Sequence, residues 1–599
     1  MTERLWYDPF VIPFVAGMVF VLLYCFAGML RIILQLPRND RLRFFKSLVT
    51  PKTAWKNIKD IFLNCLIHVK LWKRNKLLGY MHSSIAFGWF MIIVLGHIEV
   101  FAYFPHRAKL LYYPIFFNYF VAETEMTVKG AALMFLMDFF LAIILSGIVL
   151  AMVKRVRSRF FGMRRTTRLS LLDRVGLYSL WAIFPLRLLA ESFTAHISGG
   201  SFLTIPMNWI FRQFLGNNLN MLPTWWAYSI VLGIFMFVLP FTRYMHIPAE
   251  MLLIPLRNAG IRIRHPRKGY ALAEVYSCPG CGVCIDACPM SARKENIRDA
   301  TVYLNRQIRR GNEKRIAEIS DKCLLCGKCS AVCQVGVHGP ELRIAQRSLR
   351  QYYLHPDYSG FDTSQWKERL SGSKILYFKG CMTHLTPSIG KAMTSLLDKA
   401  GAEYKVMDPD GGICCGRPLQ MAGRIKEAKE LMEKNREIIL ASGCDTLLLS
   451  CPICYRIFKE NYKLKGIRVV HHSVLLEEFA ASGRLEVRKG DESLVFHDPC
   501  ELGRGCGIYE EPRQLLSRAG SLVEAAKNRS ESVCCGGSVG SLSLSFEKRK
   551  EITQASLDNL TAAGPDRIIT ACPLCQSTYS RYSDRPVEDI ACLIDEATS

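Results

Sequence analysis

Hydrophobic patterning divides the chain into two regimes. Up to about residue 250, apolar residues run in long uninterrupted stretches near 9–36, 78–103, 130–153, 175–198 and 224–247. Each reaches the roughly 20 residues that a helix needs to cross a bilayer. Beyond about residue 370 the apolar runs shorten to four or so residues. Ile375–Phe378 and Thr446–Leu449 read as buried strands, with helices near 386–400 and 421–441; Leu494–Phe496 and Arg567–Thr570 are their counterparts further on. Residues 291–320, between the regimes, are charged and helix-forming. The pattern predicts five membrane spans, then a helical segment, then α/β modules.

Charge orients the first regime. Residues 1–270 carry 32 Lys/Arg against 11 Asp/Glu, and the remainder 45 against 41, which accounts for the net +25. The bases concentrate after the first stretch (Arg38 to Lys76) and after the third (Lys154 to Arg168), while 104–129 and 199–223 are poor in them. The positive-inside rule then puts the N-terminus outside and everything after Met245 in the cytoplasm. The first stretch is too long, and its basic flank too thin, for a cleaved signal. The basic excess belongs to membrane loops, so nucleic acid is not an expected partner; the lipid bilayer is. A multi-pass protein of a bacterial or archaeal cell (inner) membrane is expected.

Of 23 cysteines, 18 fall in four tight motifs after residue 277. Such grouping reads as metal ligation in a reducing compartment. Cys278-x2-Cys281-x2-Cys284-x3-Cys288 and Cys323-x2-Cys326-x2-Cys329-x3-Cys333 have the spacing of a two-cluster ferredoxin, in which the fourth cysteine serves the other cluster. Cys278, Cys281, Cys284 and Cys333 are expected to hold one cubane [4Fe–4S] cluster, and Cys323, Cys326, Cys329 and Cys288 the other. A second pattern is written twice, about 120 residues apart: Cys381, Cys414–Cys415–Gly416, Cys451-x2-Cys454, and Cys500, Cys534–Cys535–Gly536, Cys572-x2-Cys575. It marks a repeat of whole modules. Five thiols per copy exceed what tetrahedral zinc uses and favour iron–sulfur chemistry. Cys25, Cys65, Cys444, Cys506 and Cys592 fit no motif. No Walker or Rossmann pattern occurs, so no bound flavin or nicotinamide is expected.

Histidines inside apolar spans are rare enough to suggest function. His82 and His246 lie at cytoplasmic ends of their spans, His97 and His196 near outer ends. His82 and His97 are about 22 Å apart along a helix. Two stacked b-type haems held by paired imidazoles would fit, as would hydrogen-bonded histidines with no ligand. Arg187 and Glu191, one turn apart, form an internal ion pair or meet a haem propionate or quinone; Asp138 is equally open.

The tail Pro240-Phe241-Thr242-Arg243-Tyr244-Met245-His246, with Gly96-His97, resembles the nitrate reductase gamma subunit family, a five-span dihaem cytochrome b. The resemblance implies haem b at His82/His246. Tyr228 stands where that family carries a second histidine of the fifth span, so an outer haem would take His97 and His196. The repeated modules, with His497-Asp498-Pro499-Cys500 and Arg504, closely resemble the cysteine-rich domain of heterodisulfide reductase catalytic subunits. That resemblance implies a noncubane [4Fe–4S] cluster on each five-cysteine set, with the ten cysteines as catalytic residues. The charged segment between the two ferredoxin runs resembles the helical ferredoxin of respiratory iron–sulfur subunits.

The expected architecture is a five-span α-helical membrane bundle (1–254), a helical ferredoxin-type domain (255–350) and tandem α/β cysteine-rich (CCG) domains (372–485 and 490–599). Fusions in this order resemble the electron-transfer flavoprotein:menaquinone oxidoreductase group. An oxidoreductase linking the menaquinone pool to electron-transfer flavoprotein is therefore expected. A quinol-dependent disulfide reductase, and an electron relay for a separate flavin dehydrogenase, are the other readings.

Overall fold

The computed structural model describes all residues except 1–6, 105–109, 123–126, 218, 292–293, 351–369, 371, 373, 408, 410–412 and 599. The chain forms two compact units, Met1–Asp286 and Ala287–Ser599. The first cysteine run straddles that division, with Cys278, Cys281 and Cys284 in the first unit and Cys288 in the second.

The principal helices of the first unit are α1 (Ile12–Leu34), α2 (Arg38–Val49), α3 (Pro51–Ile61), α4 (Lys76–Tyr103), α5 (Val128–Val156), α6 (Leu171–Ser198), α7 (Thr204–Leu215), α8 (Leu222–Val238) and α9 (His246–Asn258). Four helical stretches are long and apolar enough to cross a membrane: Pro9–Leu34, Lys76–Tyr103, Val128–Val156 and Leu222–Phe241. The expected fifth span, α6, is not among them. Asp173, Arg174, Arg187 and Glu191 interrupt its apolar character, although at 28 residues it is as long as α4.

Small residues let these helices approach closely. A methyl group at Gly17 of α1 would lie 2.9 Å from the Gly233 carbonyl of α8, so that crossing admits nothing larger. α4 lies along α5, and α8 packs on both α1 and α6.

The second unit contains two parallel four-stranded sheets with the same topology. The strands are β1 (Ile375–Phe378), β2 (Tyr404–Val406), β3 (Thr446–Leu449), β4 (Arg468–His471), then β5 (Ser493–His497), β6 (Ser521–Val523), β7 (Arg567–Thr570) and β8 (Val587–Asp589). Sheet order is β2-β1-β3-β4 and β6-β5-β7-β8. Register pairs Leu376 with Leu447 and Val495 with Ile568 at the centres. β1, β3, β5 and β7 occupy the predicted positions; the edge strands β2, β6 and β8 are only three residues long, and β4 lacks the continuous apolar run of a central strand.

Chain direction across each sheet reverses between its two central strands. The crevice beyond their carboxyl ends is where open α/β sheets bind ligands. Cys381 and Cys451 follow β1 and β3; Cys500 and Cys572 follow β5 and β7. Topology thus delivers the first and fourth cysteines of each set to one place.

Candidate electron-transfer centres

The CCG segment of each module brings the second and third thiols to that crevice through a glycine in the left-handed region. Gly416 has φ +79° and Gly536 φ +85°. A side chain at 536 would sit 3.0 Å from the Arg549 carbonyl, so both conformation and space require glycine there. The backbone of each CCG turn is pinned from below. In the first module Asn435 donates to the Cys414 carbonyl at 2.9 Å and the Tyr462 hydroxyl to that of Cys415 at 3.0 Å. In the second, Thr553 donates to the Cys535 carbonyl at 2.7 Å.

All five predicted thiols of each copy meet, and in the same order. The Cys381 thiol is within hydrogen-bonding reach of Cys414, Cys414 of Cys415, Cys415 of Cys454, and Cys454 of Cys451. In the second copy the order is Cys500, Cys534, Cys535, Cys575, Cys572, with Cys535 and Cys575 Sγ atoms 3.4 Å apart. The CCG and Cys-Pro-x-Cys thiols of both copies are buried. A cage of five thiols, four of them buried, suits an iron–sulfur cluster.

The two copies adjoin. Cys451 and Cys572 are near enough to interact electrostatically. Beside them, Glu501 of the second module is held by Arg456 (3.1 Å) and Arg417 (3.4 Å) of the first. Burial opposes its charge, yet these two guanidiniums keep its carboxyl below the usual range.

Within the second unit, Cys288 lies beside Cys323, Cys326 and Cys329. Burial and the neighbouring thiols push Cys288 up to about 12. A metal must displace that proton, so cluster loading at this set would release protons. The Leu325 amide donates to Cys323 Sγ at 3.3 Å, as expected beside a cluster thiolate.

Cys326 also bonds to Cys534 of the second module, so the ferredoxin set and one CCG set share an edge. Arg504 lies along that edge. Its Nε donates to the Cys326 carbonyl at 2.8 Å and its Nη1 to Ser532 Oγ at 2.8 Å. Burial works against its charge, but Cys326, Cys500 and Cys534 raise its pKa further.

Of the other ferredoxin set, Cys278, Cys281 and Cys284 belong to the first unit and Cys333 to the second. The basic loop after α5 grips this run. Thr167 Oγ1 donates to the Gly280 carbonyl at 2.5 Å, and the Arg164 and Arg165 amides donate to Asp286 at 2.9 and 3.3 Å. Lys154 and Arg243 both interact electrostatically with Cys281.

Lys154 is also a neighbour of His82, as are His246 and His68. His246 Nδ1 lies 2.7 Å from the Arg243 carbonyl and His68 Nδ1 3.1 Å from that of Leu66. Those bonds place the proton on Nδ1 and leave Nε2 with its lone pair, the form in which imidazole ligates iron. The donor chemistry therefore fits a haem. His68 is an addition that the sequence does not announce: its ring centroid is 5.4 Å from that of His82, tilted by 33°. It follows the π-helical turn Phe62–Leu66 and takes a left-handed conformation, φ 55°. Neither feature is visible in sequence spacing, and both recur at functional positions.

The outer histidines are placed differently. His97 and His196 are exposed on their helices. His97 Nδ1 is bonded to the Ile93 carbonyl at 2.7 Å, and His196 faces Asn208 at 3.5 Å. Tyr228 lies 3.5 Å from Arg187, which pairs with Glu191 at 2.8 Å. Asp138 caps α7, accepting from the Leu203 and Thr204 amides at 2.9 and 3.0 Å, a structural task.

Glu250, one turn beyond His246, is pushed up to about 7 by burial despite Lys70 and Arg257. A carboxyl raised in the fold weakens stability as pH climbs from its unfolded value near 4.5 through 7. Glu250→Gln should therefore leave thermal stability at pH 4.5 unchanged and add about 3 kcal/mol at pH 8, measured on detergent-solubilised protein.

Comparison with known proteins agrees with this geometry. The cysteine-rich domain family (CCG) matches residues 375–459 and 494–579, and the 4Fe-4S dicluster domain family matches 274–337. One of the subunits of the fumarate reductase (CoM/CoB) of Methanothermobacter marburgensis is 28% identical over 351 residues, 53% of this chain and 70% of its own. One of those of the dihydromethanophenazine:CoB–CoM heterodisulfide reductase of Methanosarcina acetivorans is 26% identical over 54% of this chain and 94% of its own. The EtfAB:quinone oxidoreductase of Syntrophomonas wolfei is 29% identical over 34% of this chain and 30% of its own.

Proposed function

We propose that this chain, an iron–sulfur oxidoreductase homologous to the cysteine-rich chain of heterodisulfide reductase and to an EtfAB:quinone oxidoreductase, passes electrons between menaquinone in a cell membrane and electron-transfer flavoprotein in the cytoplasm. The observation that carries this reading is the shared edge at Cys326 and Cys534. It joins a ferredoxin set to a CCG set without an intervening domain. Bound there, two cubane and two noncubane clusters, with haem b near the membrane's inner face, would supply one-electron carriers.

The protein's own residues set spacing and charge. His82, with His246 or His68, offers the haem ligands, and Lys154 and Arg243 stand between these histidines and Cys281. Cys278, Cys281, Cys284 and Cys333 are the proposed first cubane set on the strength of their spacing. The five spans, with α6 among them, and the outer pair His97/His196 belong to the same reading but carry none of its weight.

Arg504 should raise the potential of whatever occupies the second CCG set. A unit charge at roughly 8 Å and an effective dielectric of about 20 is worth about 2 kcal/mol. Arg504→Gln should lower that midpoint by tens of millivolts in an anaerobic EPR titration and leave the haem midpoint alone.

One observation favours a second reading. Both five-thiol sets are complete and adjoin at Cys451 and Cys572, as cleavage of a disulfide between two clusters would require. Mixing the full chain anaerobically with reduced electron-transfer flavoprotein, or with menaquinol and a disulfide, separates the two. Electron-transfer flavoprotein should reduce the clusters and then the haem. Disulfide turnover with no response to the flavoprotein would favour the reductase. An inert response to both, with reduction only by a flavin dehydrogenase, would mark an electron relay.

A further inference from the structure

The 41-residue connection between α1 and α4 (35–75) does not form a plain loop. It folds into α2 and α3, whose inner faces bury Asp40, Phe44, Ser47 and Asn57 against the unit. Their opposite faces are apolar and turned outward. Leu42 is 61% exposed, Val49 76% and Trp55 68%, and Phe45 and Ile58 are exposed with them. The spacing 42, 45, 49 and 55, 58, 62 is that of one helical stripe.

Between residues 38 and 62 there are seven Lys/Arg and two acids. Both acids point inward: Asp40 to Arg264 at 3.2 Å and Asp60 to Asn258 at 3.0 Å. Arg38, Arg43, Lys46, Lys52, Lys56 and Lys59 are left exposed beside the apolar stripe.

We infer that the α2–α3 hairpin is an in-plane anchor that binds anionic phospholipid headgroups at the inner leaflet. An apolar stripe bordered by bases is the pattern of an interfacial helix on acidic lipid. The chain leaves it no other height. Only Gln35–Pro37 separate α1 from α2, roughly 14 Å of chain at most, and α4 begins a second candidate span soon after α3. A soluble protein partner would have to reach the stripe across the headgroups. The near-neutral α7 provides the contrast: Ile205, Trp209 and Phe214 are exposed, with Arg212 as the one charge between Thr204 and Leu215.

The inference rests on the membrane reading, and the experiment keeps the two apart. The full chain is placed in nanodiscs of phosphatidylcholine with or without phosphatidylglycerol, made with brominated acyl chains. Quenching of Trp55 and Trp209 is taken as the difference from Trp55→Phe and Trp209→Phe. Both should be quenched. Native mass spectrometry should show phosphatidylglycerol retained over phosphatidylcholine. The triple change Lys52→Gln, Lys56→Gln, Lys59→Gln should cut that preference at least fivefold, since one surface charge is worth roughly that factor.

Quenching of Trp209 without Trp55 overturns the anchor and spares the membrane reading; quenching of neither overturns both. An undiminished phosphatidylglycerol preference in the triple variant, or protection of Trp55 by a second copy of the chain, overturns the lipid assignment.

Discussion

Cys535→Ser will abolish electron exchange between quinol and the cytoplasmic partner while leaving haem reduction by quinol intact. Cys535 is the middle thiol of the second CCG set, bonded on one side to Cys534 and on the other to Cys575. Changes outside the ligands of a metal site already cost about 10–100-fold, so loss of a central ligand should cost more than about a hundredfold in turnover. Iron content and EPR should show one cluster missing, with the ferredoxin signals retained. Cys506→Ser is the control. Its thiol lies outside every set and is pushed up to about 12 by burial, so activity should not change.

The second large effect is expected at Arg347, a wholly buried guanidinium that joins three parts of the second unit. It donates to the Ser320 carbonyl at 2.7 and 3.0 Å and to that of Cys323 at 3.3 Å, in the ferredoxin segment. It also donates to the Met421 carbonyl of the first module at 2.7 Å and to the Gly540 carbonyl of the second at 2.6 Å. Arg347→Leu strands these acceptors, each unsatisfied buried group costing about 1–3 kcal/mol. The variant should lose about 4 kcal/mol or more. It should cleave between ferredoxin and modules in limited proteolysis, and its second cubane signal should broaden because the Cys323 backbone loses an anchor. Arg347→Lys keeps the charge without the fork and should fall between.

Much of the site was legible because its information is local. Ligand cysteines two or three residues apart, and a glycine that must follow a Cys-Cys pair, declare themselves in spacing. So did the strands that carry them, since a central strand of a parallel sheet is a continuous apolar run. What the sequence hid is contact between distant parts. Nothing in the second ferredoxin run says that Cys326 will touch Cys534, or that Arg504 will lie between them. His68 was missed because only a π-turn and a left-handed residue turn it toward His82.

Elsewhere the reading was too simple. Arg187 and Glu191 form the internal ion pair that their one-turn spacing suggests, and with Asp173 and Arg174 they set α6 apart from the four strongest candidate spans. Counting the bases of 38–59 yields only an expected side of the membrane. Their amphipathic arrangement, with the apolar stripe facing outward, emerges only once Asp40 and Asn57 are seen to face inward.

The central claim is that one chain joins a membrane haem to the CCG sets through the ferredoxin. Stopped-flow mixing of reduced electron-transfer flavoprotein with the oxidised full chain, in menaquinone-containing liposomes, tests it directly. Iron–sulfur bleaching should come first and the haem b α-band should rise after it. Cys535→Ser should keep the flavoprotein from reaching the haem while menaquinol still reduces it. A haem spectrum that never responds to the flavoprotein, or that responds equally in the wild type and Cys535→Ser, would contradict the account.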